Sequence, residues 1–231
     1  LEKDRVCSGK KKMCQPSGAP FSNLGPKYPT ISEIRAKFSI LTFSETHPMC
    51  GIAGILRLGQ TGAADLGALV RGMTDTLRHR GPDDAGQVQF FLEKKPLALG
   101  DRDTPQEVFD STLPWAPRPY PAHSDRPMLV LGHRRLAILD LSAAGHQPMS
   151  TWDGALWAVF NGEVYNYLEI RAELASQGVV FRTSTDTEVV LEAYRRWGRA
   201  CAHRFDGMWS LALYDIREGT LWCSRDRTGV K

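Results

Sequence analysis

Met49-Cys50-Gly51-Ile52-Ala53-Gly54-Ile55-Leu56 is the first stretch of the chain that reads as buried structure. A short apolar run with small residues has the length of a strand covered on both faces. The 48 residues before it differ in kind. They hold a Lys run at Lys10–Lys12, scattered Pro and Ser, and one weakly amphipathic stretch, Ile31–Leu41. They carry eight Lys/Arg against four Asp/Glu, whereas residues 49–231 carry 21 against 22. Such a composition buries little apolar area to offset ordering entropy. Residues 1–48 are therefore expected to be a leader: unstructured, translated from upstream of the true start, or a propeptide. The basic excess belongs to this leader, so the body gives no electrostatic case for nucleic acid.

Outward from Leu56 the pattern alternates between the two regular periods. Apolar residues at Leu66, Leu69, Val70, Met73 and Leu77 predict a helix over Ala63–Arg80, stopped at Arg80-Gly81-Pro82-Asp83-Asp84. Val88–Leu92, Met128–Leu131 and Leu156–Phe160 read as strands. Residues 93–127 hold half of all the prolines and read as an irregular, Pro-rich surface insertion. A helix over Tyr167–Gln177 is expected from an Asn166 cap and a closing Gly178. A strand at Val179–Phe181 and a second helix at Thr187–Trp197 follow. Met208–Tyr214 and Thr220–Ser224 form a hairpin around Arg217-Glu218-Gly219. Two adjacent helices flanked by runs of strand indicate layered α+β and not alternating βαβ units.

Composition and missing motifs narrow the chemistry. With 42% hydrophobic and 24% charged residues the chain is neither disordered nor a coiled coil. No apolar run approaches the roughly 18 residues that span a bilayer, so no membrane is implied. Cys7, Cys14, Cys50, Cys201 and Cys223 form an odd set without C-x-x-C spacing; free thiols suit a reducing cytoplasm. There is no G-x-S-x-G elbow, P-loop, H-E-x-x-H or dinucleotide fingerprint. No metal site is assigned. A nucleophile has to come from elsewhere, and Cys50 follows a methionine. Removal of that Met would expose an α-amine, ordinarily titrating near pKa ~7.7–8.0, beside the thiol. The nucleophile would then carry its own base. Taken alone, Cys50 reads more readily as a small buried hydrophobe than as a nucleophile.

Eight segments in order remove that ambiguity: CGIAGI, LRHRGPDDAG, LGHRRLAILDLS, GHQPM, FNGEVYNY, STDTEVVLEAY, RFDGMWSLALYD and SRDRTGVK. From Met49 to Lys231 the chain resembles the N-terminal glutaminase half of glutamine-hydrolysing asparagine synthetase, a class II glutamine amidotransferase of the N-terminal-nucleophile (Ntn) hydrolase type. The resemblance implies a four-layer αββα sandwich with Cys50 at the end of a central strand. By the same resemblance Cys50 attacks the glutamine side-chain amide and forms a γ-glutamyl thioester. Asn161 and Gly162 form the oxyanion hole. Arg135 grips the substrate α-carboxylate, within the glutamine-binding stretch Arg135, Leu136, Ala137, Ile138 and Leu139. Asp186 and Glu163 lie near the α-ammonium.

Read without the family, several of these residues have other uses. Arg134-Arg135 can be an exposed basic pair, Asn161-Gly162 a hairpin turn, and Asp186 a helix cap. His79 and His133 are given structural roles, and Cys201 and Cys223 are read as inert packing residues.

The rest of the family's enzyme is a synthetase domain in which ATP and Mg support amidation of aspartate. This chain stops near the inter-domain boundary, at Asp226-Arg227-Thr228-Gly229-Val230-Lys231. No cofactor is assigned to the part present. Its implied partners are L-glutamine and the synthetase domain of the same full-length chain; pairing with a second copy stays open. Two alternatives stay open as well: a related amidotransferase with another acceptor, and a glutamine-binding module without catalysis if the leader is retained. The Pro-rich insertion and Thr228, where an aromatic is usual, are the departures from the family pattern.

Overall fold

A computed structural model describes residues 49–59, 64–120 and 126–231. The leader expected over residues 1–48, with Cys7 and Cys14, lies outside the described residues.

Strand β1 (Gly51–Leu56) forms where the opening motif placed it. It pairs antiparallel with β5 (Leu129–Arg135), which pairs in turn with β2 (Asp84–Phe90). Strands β3 (Leu97–Gly100) and β4 (Arg118–Pro119) complete a five-stranded sheet of order β1-β5-β2-β3-β4. The second sheet runs β6-β7-β8-β9: Met149–Ser150, Leu156–Val164, Gly207–Asp215 and Thr220–Arg225.

Pleating divides each strand between two layers. On β5, Val130 packs outward against Leu66 and Val70 of helix α1 (Leu66–Thr76). Its neighbours Leu129 and Leu131 face inward, into the core shared with Val88, Phe90 and the second sheet. Phe90 meets Trp157 edge-on at 6.1 Å between centroids and Tyr214 at 4.7 Å. Helix α4 (Asp186–Trp197) lies across β6 and β7, with α3 (Tyr167–Ser176) packed against it. Helix, sheet, sheet, helices: the four-layer α+β sandwich is the observed architecture. No helix among the described residues is long and apolar enough to cross a membrane.

Several local expectations are corrected. Cys50 precedes β1, which is an edge strand of its sheet and not a central one. Helix α1 is shorter than its periodic pattern, starting after Asp65, whose side chain accepts from Ala68 N at 3.0 Å. Asn166 does not cap α3. Its amide bridges the chain ahead of β8, donating to Arg204 O and accepting from Asp206 N, both at 2.9 Å. Val179–Phe181 is not a strand. Val179 N donates to Leu174 O, and just past the run the Glu188 carboxylate accepts from the N–H groups of Arg182 and Thr183, so the segment is tied to the helices on either side and not to a sheet. Asn161-Gly162 is no hairpin turn but lies within β7, paired with Ser210 and Trp209. Arg134 and Arg135 are both buried, not an exposed pair. Cys201 is buried as expected, its thiol pushed up to about 12 by desolvation, whereas Cys223 is exposed.

The Pro-rich segment is the largest correction. Beyond its two strands it forms the short helix α2 (Gln106–Phe109), and Trp115 is fully buried in the main core. Asp103 reaches under α1 to Arg134, with Nη1 at 2.7 Å, while Asp75 holds Nη2 at 2.5 Å and Thr74 O accepts from Nε at 3.2 Å. The insertion therefore neutralises a buried guanidinium and fills core volume. Trp115→Ala should cost about 3–5 kcal/mol, measured as a lower urea midpoint; an unchanged midpoint would return residues 93–127 to the status of an appendage.

Candidate active site

Cys50 sits where β1 begins, diagonal to the end of β5. Its thiol donates to Leu136 O at 3.5 Å and accepts from Leu136 N at 3.3 Å. Desolvation pushes the thiol pKa up, against the Leu136 contact and the nearby Arg135 and Lys231 charges, which lower it. The resting group is therefore a thiol and not a thiolate, and any nucleophilic use needs a base.

Arg135 is the inward neighbour of Arg134. Its guanidinium donates to the carbonyls of Leu139 (3.2 Å), Asp140 and Ser142 (3.3 Å). These acceptors are neutral dipoles, so the guanidinium keeps its net charge and holds the loop 136–142 at the pocket rim. Gly145 is required here, because a Cβ would collide with the guanidinium. Asp140, at φ 51°, closes the loop from the other side. One of its oxygens accepts from Ser142 N and Oγ, the other from Ser184 N and Oγ. Burial raises the Asp140 pKa, but these four donors outweigh it and the net shift is downward.

The facing wall is the open edge of β7. Phe160 N and O are both bonded on the side that β6 occupies further along the strand, by the Gln147 side chain. Four residues on, Val164 N donates to Asp186 Oδ2 at 3.2 Å. Residues two apart on a strand present their N–H groups to the same edge. Gly162, midway between them, thus turns its N–H into the pocket. A Cβ on Gly162 would strike Met208 O. Asn161 shares with Trp157 the strand face turned toward the five-stranded sheet.

Thr185, not Asp186, caps α4, accepting from Glu188 N at 3.1 Å. Asp186 is left to face the pocket. Burial raises its carboxyl to about 6, opposed by the Val164 N–H and reinforced by the Glu163 charge.

The expected residues converge. Cys50, Arg135, Leu136, Ile138, Leu139, Gly162, Glu163 and Asp186 line one pocket. Ala137 and Asn161 are not among its lining residues: Ala137 N donates outward to Asp83 Oδ2, and Asn161 is buried beside the pocket on β7. His79 is exposed, against Thr76 O. His133 is buried and bonded to Phe160 O, and burial lowers its pKa to about 3. The C-terminal turn closes on Asp226, which accepts from Trp209, Thr228, Val230 and Lys231 N–H groups. Thr228 Oγ1 joins that set at 3.0 Å, so the residue that departs from the family pattern has a local use. Gln147 and Thr187 also line the pocket and were missed. Gln147 stands in GHQPM, which the sequence used only as a signature.

Residues 121–231 match the family described as glutamine amidotransferase domain. A protein of Methanocaldococcus jannaschii provisionally named glutamine-hydrolysing asparagine synthetase 2 is 36% identical over 197 residues, 79% of this chain and 31% of its own length. Glutamine-hydrolysing asparagine synthetase 1 of Bacillus subtilis is 32% identical over 186 residues, again 79% of this chain and 23% of its own. The chain thus spans a third or less of the length of these relatives. Among solved structures, glutamine phosphoribosylpyrophosphate amidotransferase from B. subtilis superposes with a TM-score of 0.56 at 22% identity, covering 78% of this chain and 38% of that one. That likeness carries the fold. The chain is a homologue of proteins named glutamine-hydrolysing asparagine synthetase, and residues 121–231 carry the match to the glutamine amidotransferase domain.

Asp186 supplies a test that needs no substrate. A carboxyl raised from its ordinary range to about 6 contributes stability that is fully present below pH ~4 and is lost as pH rises through 6. Asp186→Asn removes that penalty. At pH 8 the variant should exceed the parent in stability by roughly 3 kcal/mol, and at pH 4 the two should converge, as read from paired denaturation curves. A variant no more stable at pH 8 would mean that the carboxylate is not desolvated.

Proposed function

We propose that this domain hydrolyses L-glutamine to glutamate and ammonia through a γ-glutamyl thioester on Cys50. The observation that supports it best is the meeting of the Cys50 thiol with the Gly162 N–H edge of β7 in a pocket flanked by Arg135 and Asp186. A guanidinium and a carboxylate are what the α-carboxylate and α-ammonium of an amino acid require. Cys50 Sγ attacks the side-chain carbonyl carbon, and the C=O electron pair becomes an oxyanion. Asn161 and the Gly162 N–H hold that oxyanion. The thiol proton passes to the Cys50 α-amine and then to the leaving nitrogen, which departs as ammonia. Water cleaves the thioester by the reverse transfers and releases glutamate. In the larger protein ammonia would amidate aspartate in a synthetase domain that uses ATP and Mg, as the relatives' names suggest. No residue of this chain is assigned to ATP or metal.

Cys50→Ala should abolish glutamate release in a chain beginning at Met49 while glutamine still binds, followed by calorimetry. Turnover within tenfold of the parent would rule out the thiol as nucleophile. Asn161→Ala should lower kcat by about 10²–10³ with less effect on affinity, since the oxyanion exists only in the transition state.

Retaining residues 1–48 should silence the site. Acylation removes the lone pair of the Cys50 nitrogen, and general-base assistance contributes about 10²–10⁴-fold. Glutamate release should differ by at least that factor between the 231-residue chain and one beginning at Met49 after Met removal, with both N-termini verified by mass spectrometry. Equal rates with the leader intact would discard the amine as base and favour another proton acceptor.

A further inference from the structure

Gln147 has no part in the chemistry above, yet its buried amide completes the wall of the site. Strand β6 contributes only Met149 and Ser150 to the β7 ladder, opposite Ala158 and Trp157. Where β6 stops, the Gln147 side chain continues in its place. Oε1 accepts from Phe160 N at 2.7 Å, and Nε2 donates to Phe160 O at 3.2 Å. The same Nε2 reaches Thr187 Oγ1 at 3.4 Å, in the first turn of α4. Phe160 precedes Asn161-Gly162, and Thr187 follows Asp186. One amide therefore braces both the oxyanion strand and the helix end that carries the carboxylate.

The opposite sheet reinforces this brace. His133 Nε2 donates to Phe160 O at 3.1 Å, which fixes its tautomer, and its burial keeps the ring neutral. Gln147 is itself held in place. His146 Nδ1 meets Asp84 Oδ2 at 2.8 Å, and β2 comes so close at Gly86 that a Cβ there would collide with Gln147 O. An apolar residue of equal size would fill the volume but leave Phe160 N without an acceptor and Phe160 O with His133 alone.

We infer that Gln147 is a positioning residue for the oxyanion strand, setting where the Asn161 and Gly162 donors stand relative to Cys50. The inference rests on the glutaminase reading. A residue that acts only through the transition-state donors lowers kcat and leaves KM nearly unchanged. A residue that merely fills the core changes neither at a temperature where the protein stays folded.

The test uses Gln147→Ala and Gln147→Glu, assayed for glutamate release with the Cys50 amine free and well below each melting midpoint. The 231-residue forms are followed by hydrogen exchange across 156–164. Gln147→Ala should lower kcat by about 10–100-fold with KM within about threefold, and the Phe160 amide should lose protection. Gln147→Glu adds a signature that packing alone does not give. Its ionised carboxylate can accept from Phe160 N but has no proton for Phe160 O or Thr187; the neutral acid has one. Burial raises a carboxyl pKa, so the ratio of variant to parent kcat should climb as pH falls from 8 to 5.5. The other titratable groups around the pocket are the Cys50 thiol and α-amine, His133, Arg135, His146, Glu163, Asp186 and Lys231, with Asp84 behind His146. They are common to both proteins, so the ratio reports what the new carboxyl adds. Parent-level kcat in Gln147→Ala, a loss confined to KM, or a pH-independent ratio in Gln147→Glu overturns the inference. If the Ala variant fails to fold, the Glu ratio decides. No glutamate release from the parent overturns instead the reading on which the inference rests.

Discussion

A backbone N–H that leaves water must be bonded, and the candidate site is built around one strand edge where that demand is met irregularly. Strand β7 is paired along its whole length with β8, but on its other side β6 covers only two residues. Beyond them the edge is completed by side chains: Gln147 at Phe160 and Asp186 at Val164. Between these two the Gly162 N–H faces a pocket. A longer β6 would bond that donor and leave nothing to offer a ligand. An uncovered edge would expose three donors and fix none of them. Partial covering yields one aimed donor on a rigid strand, with Asn161 beside it.

The electrostatics of the pocket follow from the same burial. Desolvation raises the Cys50 thiol and the Asp186 carboxyl and keeps His133 neutral, so these three groups are biased toward their uncharged forms. Arg135 is the exception. A guanidinium does not give up its proton, and here it is satisfied by carbonyls that leave its charge unmatched. An anion entering the pocket meets a positive charge whose desolvation cost was met on folding. A cation entering beside Asp186 favours the ionised carboxylate and draws its pKa back down. A zwitterion therefore gains at both ends, whereas a simple anion or cation gains at one.

Local patterns made much of this legible. The apolar run at Ile52–Leu56, the α1 stripe and the β8-β9 hairpin were readable because periodicity and turn residues agreed. The site residues were readable only through motif order, since Cys50 or Arg135 in isolation has an ordinary structural use. Errors arose where a side chain does what backbone usually does. Glu188 takes the N–H groups after Val179–Phe181, and a short run of β-formers then looks like a strand without being one. Gln147 replaces a strand partner, which no hydrophobic pattern records. The Pro-rich segment was misjudged for a related reason. Proline density reports irregular backbone, not exposure, and Trp115 in that segment is fully buried in the main core.

Arg134 and Arg135 connect the insertion to the site. Adjacent on β5, they point to opposite faces, and each is buried in surroundings the other would not tolerate. Arg134 needs the carboxylates of Asp75 and Asp103 beneath α1; Arg135 needs the carbonyl ring of the loop 136–142 and the space over Gly145. Shifting β5 by one residue would exchange the two faces and take at least one guanidinium away from the acceptors that surround it. A buried charge without its partner costs far more than a surface pair is worth. The pair therefore pins the register of β5 against both β1 and β2. Because Gly51 pairs with Arg134, that register also fixes Cys50 against Leu136. Asp103 belongs to the insertion, so the segment that departs most from the family pattern helps hold the nucleophile candidate in place, from the far side of the sheet and without touching the pocket.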